Sequence, residues 1–255
     1  MANWQDPQTT GVNAATVGVP RATRDVGLRS YMLSVYNYMA SGVLLTGIVA
    51  MLLVNSSLIR LVFDPATGRP TFLPVVALLA SLGVGIWLQA GIMRMALSTA
   101  KTLFFAYAAL LGIGFSTIFI AYTGVSIAQT FFATAGAFLG LSLWGYTTKK
   151  DLSGWGSFLI MGVVGILVAL LANIGIAIFT GHPSTTLDLA VSAIGVLIFA
   201  GLTAYDTQVI KSIYFGVGGG SEAAARFGIL GAFRLYLDFV NMFLFLLRFM
   251  GSGRR

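Results

Sequence analysis

Two aspartates stand where carboxylates are costly. Of the eight acidic residues, Asp6 and Asp25 fall in a polar N-terminal stretch, and Asp64, Asp151, Asp188 and Glu222 fall in loops or at the ends of apolar runs. Solvation or helix capping accounts for those six. Asp206, in "FAGLTAYDTQVIKSIY", and Asp238, in "RLYLDFVNMFLFLLRFMG", lie inside runs apolar enough to sit in a bilayer. A carboxylate there costs several kcal/mol unless it is paired, protonated or hydrated, which makes each a functional candidate. Two such groups at close range cannot both ionise cheaply, so they share a proton and titrate together. A nearby arginine or a bound cation shifts that balance. The chemistry open to the pair is a response to pH and to cations, and a helix motion tied to its charge becomes a gate. The plainer structural reading is that Asp206 bonds Arg94 or a neighbouring backbone group and holds a helix bundle together.

Spacing places the two acids at one depth. Asp206 lies five residues before Lys211, and Asp238 lies four residues after Arg234, two basic residues that mark the inner ends of their runs. At about 1.5 Å of rise per residue these offsets are roughly 7.5 and 6 Å. On the last run, Arg234, Asp238, Asn241, Phe245 and Arg248 recur at spacings of three and four, one face of a helix. On the run before it, Asp188, Ser192, Gly195, Phe199, Thr203 and Asp206 do the same. Facing stripes would join Asp206 to Asp238, with Asn241 completing a candidate ion-binding set. Arg94, in "LQAGIMRMALS", is a further charge at comparable depth. These three charged residues, Asp206, Asp238 and Arg94, form the expected pH-sensing and gating group.

The elements that must hold them follow from composition. Hydrophobic residues make up 57% of the chain and charged residues 9%, against about 25% charged in soluble domains. A water-facing surface cannot be built from so few charges, so lipid is the solvent. Apolar runs long enough to cross about 30 Å of hydrocarbon recur at 31–54, 72–97, 101–123, 126–147, 155–180, 187–211 and 229–250. The fold class is an all-α membrane protein with seven transmembrane helices. Gly, Ala and Ser inside the runs, as in "MGVVG" at 161–165, permit close helix approach. No repeat supports an inverted-repeat transporter. Residues 1–29 lack a signal-peptide core and read as a flexible cytoplasmic tail, 30–251 as the membrane domain, and 252–255 as a short basic tail. Of the fifteen basic residues, ten fall on one side if the N-terminus is cytoplasmic, which favours that orientation, while the basic C-terminal end leaves six spans plus a re-entrant or interfacial last segment as the alternative. The chain has no cysteine, so disulfides and thiolate sites are excluded. Its net charge of +7 is spread singly over the run ends rather than gathered in a nucleic-acid patch.

"GLTAYDTQVIK" at 201–211 and "RLYLDFVNMFLFLLRFMG" at 234–251 resemble the two C-terminal signatures of the Bax inhibitor family. "YNYMASGVLLTGIVA" at 36–50 and "TTKKDLSGWGSFLIMG" at 147–162 are similar to its bacterial branch. The likeness runs over residues 30–251. It implies six helices surrounding the C-terminal one. It also implies a pH-sensitive calcium leak across the bacterial inner membrane, controlled by two aspartates that fall on Asp206 and Asp238. A second-helix arginine that interacts with them falls on Arg94. The basic ending "GSGRR" is too short to carry the charged pH-sensing tail of eukaryotic members.

Other functions meet obstacles. An intramembrane aspartyl protease uses a Tyr-Asp motif, present as "AYD" at 204–206, and a Gly-x-Gly-Asp motif, where Asp238 instead follows "LYL". A rhomboid-type protease needs a membrane histidine, and His182 sits beside Pro183 in a loop. A retinal protein needs a lysine in the last span. The glycines of "GVGGGS" at 216–221 lack a preceding strand and a following lysine, and read as a hinge rather than a phosphate loop. A non-conducting regulator of a membrane protease or stress response remains the rival from another class, and it implies membrane protein partners. The expectation is a non-enzyme with no cofactor, surrounded by the lipid bilayer, with calcium ions as its permeant partner.

Overall fold

A computed structural model of the chain describes residues 21–67 and 69–253, with side chains from Val26 onward. Residues 1–20 of the expected tail, and Arg254 and Arg255 of the basic ending, lie outside the described residues. Helix α1 spans Arg21–Asn55, so its first turns already occupy part of the segment read as tail. A short helix α2, Ile59–Val62, leads into a two-stranded antiparallel hairpin, β1 Phe63–Asp64 and β2 Arg69–Pro70. Five long helices follow: α3 Leu73–Gly91, α4 Leu97–Ala121, α5 Gly124–Thr147, α6 Ser153–Thr180 and α7 Thr185–Gly216. The last is α8, Glu222–Met250. Seven of these described helices, all except α2, are long and apolar enough to cross a membrane.

Local chemistry sets the boundaries. Thr123, Ser184 and Ser221 each accept a hydrogen bond from a first-turn amide of α5, α7 and α8, caps worth about 1 kcal/mol apiece. Gly181 ends α6 at φ 83°, a conformation glycine adopts without a Cβ penalty. The gap between the apolar runs at 187–211 and 229–250 is mostly helical, and the connector is reduced to 217–221. Gly218 and Gly220 turn the chain at positive φ, and Ser221 then starts α8 at once, since "EAAAR" is strongly helix-forming. Arg226 closes the first turn with an ion pair to Glu222 at 2.7 Å.

The hairpin is held by its acid. Asp64 Oδ1 accepts from the Ala66 amide at 3.0 Å and Oδ2 from the Thr67 hydroxyl at 2.9 Å. Those donors, the Ala66 amide foremost, hold the carboxyl below the usual carboxylate range. Its contribution is therefore full above the ordinary aspartate value and is lost as pH falls through the lowered folded value. Asp64→Ala is expected to raise deuterium uptake across residues 63–70 at neutral pH. The difference from the parent protein should shrink on acidification through that range.

Small residues set the packing. α8 is the most buried of the seven spans and packs along α1, α4, α5 and α7. α3 lies on α4 and reaches α8 where Gly85 faces the Phe233 ring, and α6 lies on α7. The middle of α8 is anchored by Tyr236, which has no exposed surface. Its ring meets Phe104 and Tyr107 edge-on with centroids 5.9 Å away. Its hydroxyl meets Thr46 Oγ1 at 2.7 Å. The Thr46 hydroxyl donates to the Ala108 carbonyl at 2.8 Å, so Tyr236 is the donor to Thr46 and three helices are tied at one point. At the far end, Ser252 accepts from the Thr123 amide and donates its own amide to Ser126 Oγ, pinning the chain after α8 to the α4–α5 turn.

Candidate functional site

The two polar stripes face each other. α7 and α8 are each other's most extensive neighbours in the bundle. They run antiparallel, so residues late in α7 meet residues early in α8. Asp206 and Asp238 are both buried, at 8% and 4% exposure. Arg234 Nη1 stands 3.7 Å from Asp206 Oδ1, an ion pair longer than a hydrogen bond. Asp238 Oδ2 is shut from solvent and has no hydrogen-bond partner. Arg234 and Asp238 lie one helical turn apart on α8, so the ion pair to Asp206 brings all three groups to one stretch of the α7–α8 seam.

Arg94 stands apart from it. α3 stops at Gly91, whose carbonyl accepts from the amides of Arg94 at 2.8 Å and Met95 at 3.1 Å. The turn places Arg94 beyond the end of the helix that the apolar run had suggested would carry it. It is exposed and makes no ion pair among the described residues. The cation beside the acids is Arg234, four residues before Asp238 on the same stripe. Arg226 of α8 meanwhile donates to the Met93 carbonyl at 2.9 Å, which fastens the α3–α4 turn to the start of α8.

Asn241 follows Asp238 by one helical turn and is half-buried. Its Nδ2 donates to the Leu237 carbonyl at 2.8 Å, leaving Oδ1 as the side chain's acceptor. The donor set that could meet a cation is thus two carboxylates and one amide oxygen. Among the described residues no group of three or more His, Cys, Asp or Glu gathers as a metal cage.

The back of α7 carries a hydroxyl chain that local sequence patterns do not reveal. Thr207 Oγ1 donates to the Thr203 carbonyl at 2.7 Å, which uses its single proton. The 2.9 Å contact between Ser142 and Thr207 therefore has Ser142 as donor. The 2.6 Å contact between Tyr36 and Ser142 then has Tyr36 as donor. Three helices, α1, α5 and α7, are joined by bonds that all point the same way. Nearer the end of α7, Gln208 accepts from the Leu152 amide at 2.8 Å and donates to the Lys150 carbonyl at 2.8 Å. Lys211 Nζ donates to the Tyr146 carbonyl at 2.8 Å. The helix that presents Asp206 is thus clamped on the side away from α8.

Known proteins resemble the chain over nearly its whole length. Residues 28–255 match the family model described as "Inhibitor of apoptosis-promoting Bax1". The inner membrane protein YbhL of Escherichia coli strain K12 is 44% identical over 237 residues, covering 92% of this chain and 95% of that protein. A protein of Rickettsia prowazekii, RP147, is 42% identical over 233 residues, covering 91% and 93%. A protein of Caulobacter vibrioides is 43% identical over 234 residues, covering 90% and 91%.

Proposed function

Because the chain belongs to the Bax inhibitor family, we propose that it is a pH-sensitive calcium leak pathway of the bacterial inner membrane, switched by the Asp206–Asp238 pair. One observation carries the reading. A buried Asp206, paired with a partly exposed Arg234, stands beside a buried Asp238 oxygen with no partner. An unpartnered carboxylate oxygen in a bundle costs free energy until a proton or a cation meets it. Changing that occupancy changes the charge held between α7 and α8, and with it the preferred spacing of the two helices. Arg234 tunes the balance because it attracts both ionised carboxylates. Inner-membrane placement is supported by the description of the Escherichia coli relative and by the seven apolar helices. A cytoplasmic N-terminus, which puts the pair near the inner surface, rests on the distribution of Lys and Arg. No enzymatic step is required of the site. That Leu235 and Tyr236, shortly before Asp238, have no exposed surface supports a non-proteolytic reading.

The test is calcium flux from the purified protein in liposomes, read over a series of pH values. Flux that depends on pH, with Asp206→Asn and Asp238→Asn each flattening the dependence, is the expected result. Two neutralised variants that kept the parent flux and the parent pH profile would remove the switch from this pair.

A further inference from the structure

The seam between α7 and α8 has polar ends and an aromatic middle. At one end Arg234 meets Asp206 at 3.7 Å, and at the other Arg248 meets Asp188 at 3.8 Å. From Asp206 to Asp188 is eighteen residues, or about 27 Å of helical rise, close to the thickness of a hydrocarbon core at about 30 Å. The seam therefore joins the two faces of the membrane. Between its ends Phe199 of α7 and Phe245 of α8 stack with centroids 5.8 Å apart and planes 25° apart. Phe245 fills the space that Gly195 leaves open, since a Cβ on Gly195 would stand 2.6 Å from the ring carbons.

Polar groups lie on both sides of this layer. Toward the aspartates, Thr203 donates its hydroxyl to the Phe199 carbonyl at 2.8 Å. Toward Asp188, Ser192 has no exposed surface, and its Oγ has no hydrogen-bond partner. A buried hydroxyl without a partner needs explaining. It is accounted for if water or an ion reaches that point when the layer above it parts. Hydrophobic constrictions stop ions by excluding water, and two rings seated over a glycine make such a constriction.

We propose that the α7–α8 seam is the conduction path and that the Phe199–Phe245 layer is its closed gate, with Ser192 the first polar group beyond it. The inference rests on the leak reading above and adds to it the place where the path is shut. The aspartate pair sets the charge near one end. The gate opens when the Phe245 ring leaves the Gly195 notch, by rotation or by sliding of α8 along α7.

The chain has no cysteine, so a single introduced thiol reports without background. Two measurements on the full-length protein in liposomes test the gate. In the first, Phe245→Ala and the milder Phe245→Leu are compared with Phe179→Ala, whose side chain is 91% exposed on α6. The expected result is a severalfold rise in calcium flux for the Phe245 variants and none for Phe179→Ala. In the second, Ser192→Cys is treated with a membrane-impermeant thiol reagent from the Arg234 side. It is expected to be unreactive with Phe245 in place and reactive in the Phe245→Ala background. If parent flux responds to pH and the Phe245 variants behave as the parent in both measurements, the gate is overturned while the leak reading stands. If no variant passes calcium at all, the leak reading fails. The gate is then judged on the thiol alone, and reactivity unchanged by removal of the ring overturns it.

Discussion

Replacing Gly145 by valine is expected to lower the melting temperature of the protein in detergent by several degrees, measured by thermal unfolding. Gly145 lies where α5 crosses α7, and a Cβ there would stand 2.3 Å from the Ala204 carbonyl oxygen and 2.9 Å from its carbonyl carbon. The obstacle is backbone, so no side-chain rotation relieves it. α5 must retreat from α7, and the retreat pulls on the Ser142–Thr207 hydrogen bond one turn away and on the Gln208 and Lys211 clamps. Overpacking a fitted core costs about 1–3 kcal/mol and sometimes more, and a β-branched residue against a carbonyl belongs at the upper end. Gly145→Ala should already be measurably destabilised. Gly140→Ala, in the same helix with nothing within 4 Å of the added carbon, should be neutral or slightly stabilised. Equal melting of the two alanine variants would show that the close approach is not what holds α5 to α7.

The second large effect is expected from Arg234→Gln, read in the flux assay rather than in stability. Its side chain is 41% exposed, so water screens the ion pair with Asp206 and little folding free energy is at stake. Its charge nevertheless lies closest to both carboxylates. A carboxyl that loses a neighbouring cation takes up its proton at higher pH. The pH midpoint of flux should therefore move upward while the dependence on pH itself is kept. Arg94→Gln should leave the midpoint where it is, because Arg94 sits exposed in the turn after α3. A midpoint that followed Arg94 and ignored Arg234 would mean the tuning charge had been assigned to the wrong helix.

The contrast between these two arginines shows what the sequence made legible. Hydropathy located the seven spans, because a helix in lipid must be apolar nearly all round over its whole length. Three- and four-residue spacing located the stripes on α7 and α8, and the ion pairs and the aromatic stack lie along those stripes. Arg234 was on its stripe in plain view, but its place near a span end made it look like an ordinary flanking charge. Arg94 looked deeper than it is because Ile92 and Met93 continue the apolar run past Gly91, where the helix has already ended. Apolarity reports the solvent and not the backbone conformation, so such an end leaves no trace in hydropathy. The start of α8 at Glu222 was obscured for the opposite reason, since three glycines before it resemble a loose connector. The hydroxyl chain through Tyr36, Ser142 and Thr207 was illegible altogether. Its members are separated by 106 and 65 residues, and each is unremarked among its own neighbours.

The burial of α8 bears on how the protein is made. The span with the most surface to hide is also the last of the described spans to leave the ribosome. Until it arrives, α1, α4, α5 and α7 lack their shared neighbour, and Asp206 has neither Arg234 nor Asp238 beside it. The earlier spans can pair among themselves, α1 with α4, α3 with α4, and α5 and α6 with α7, but one acid stays unmatched until the segment carrying both its counter-charge and its fellow acid is delivered. Insertion of α8 and closure of the bundle then become one event. A chain halted before residue 222 would display an unsatisfied membrane carboxylate, a mark by which quality control could tell an unfinished copy from a complete one.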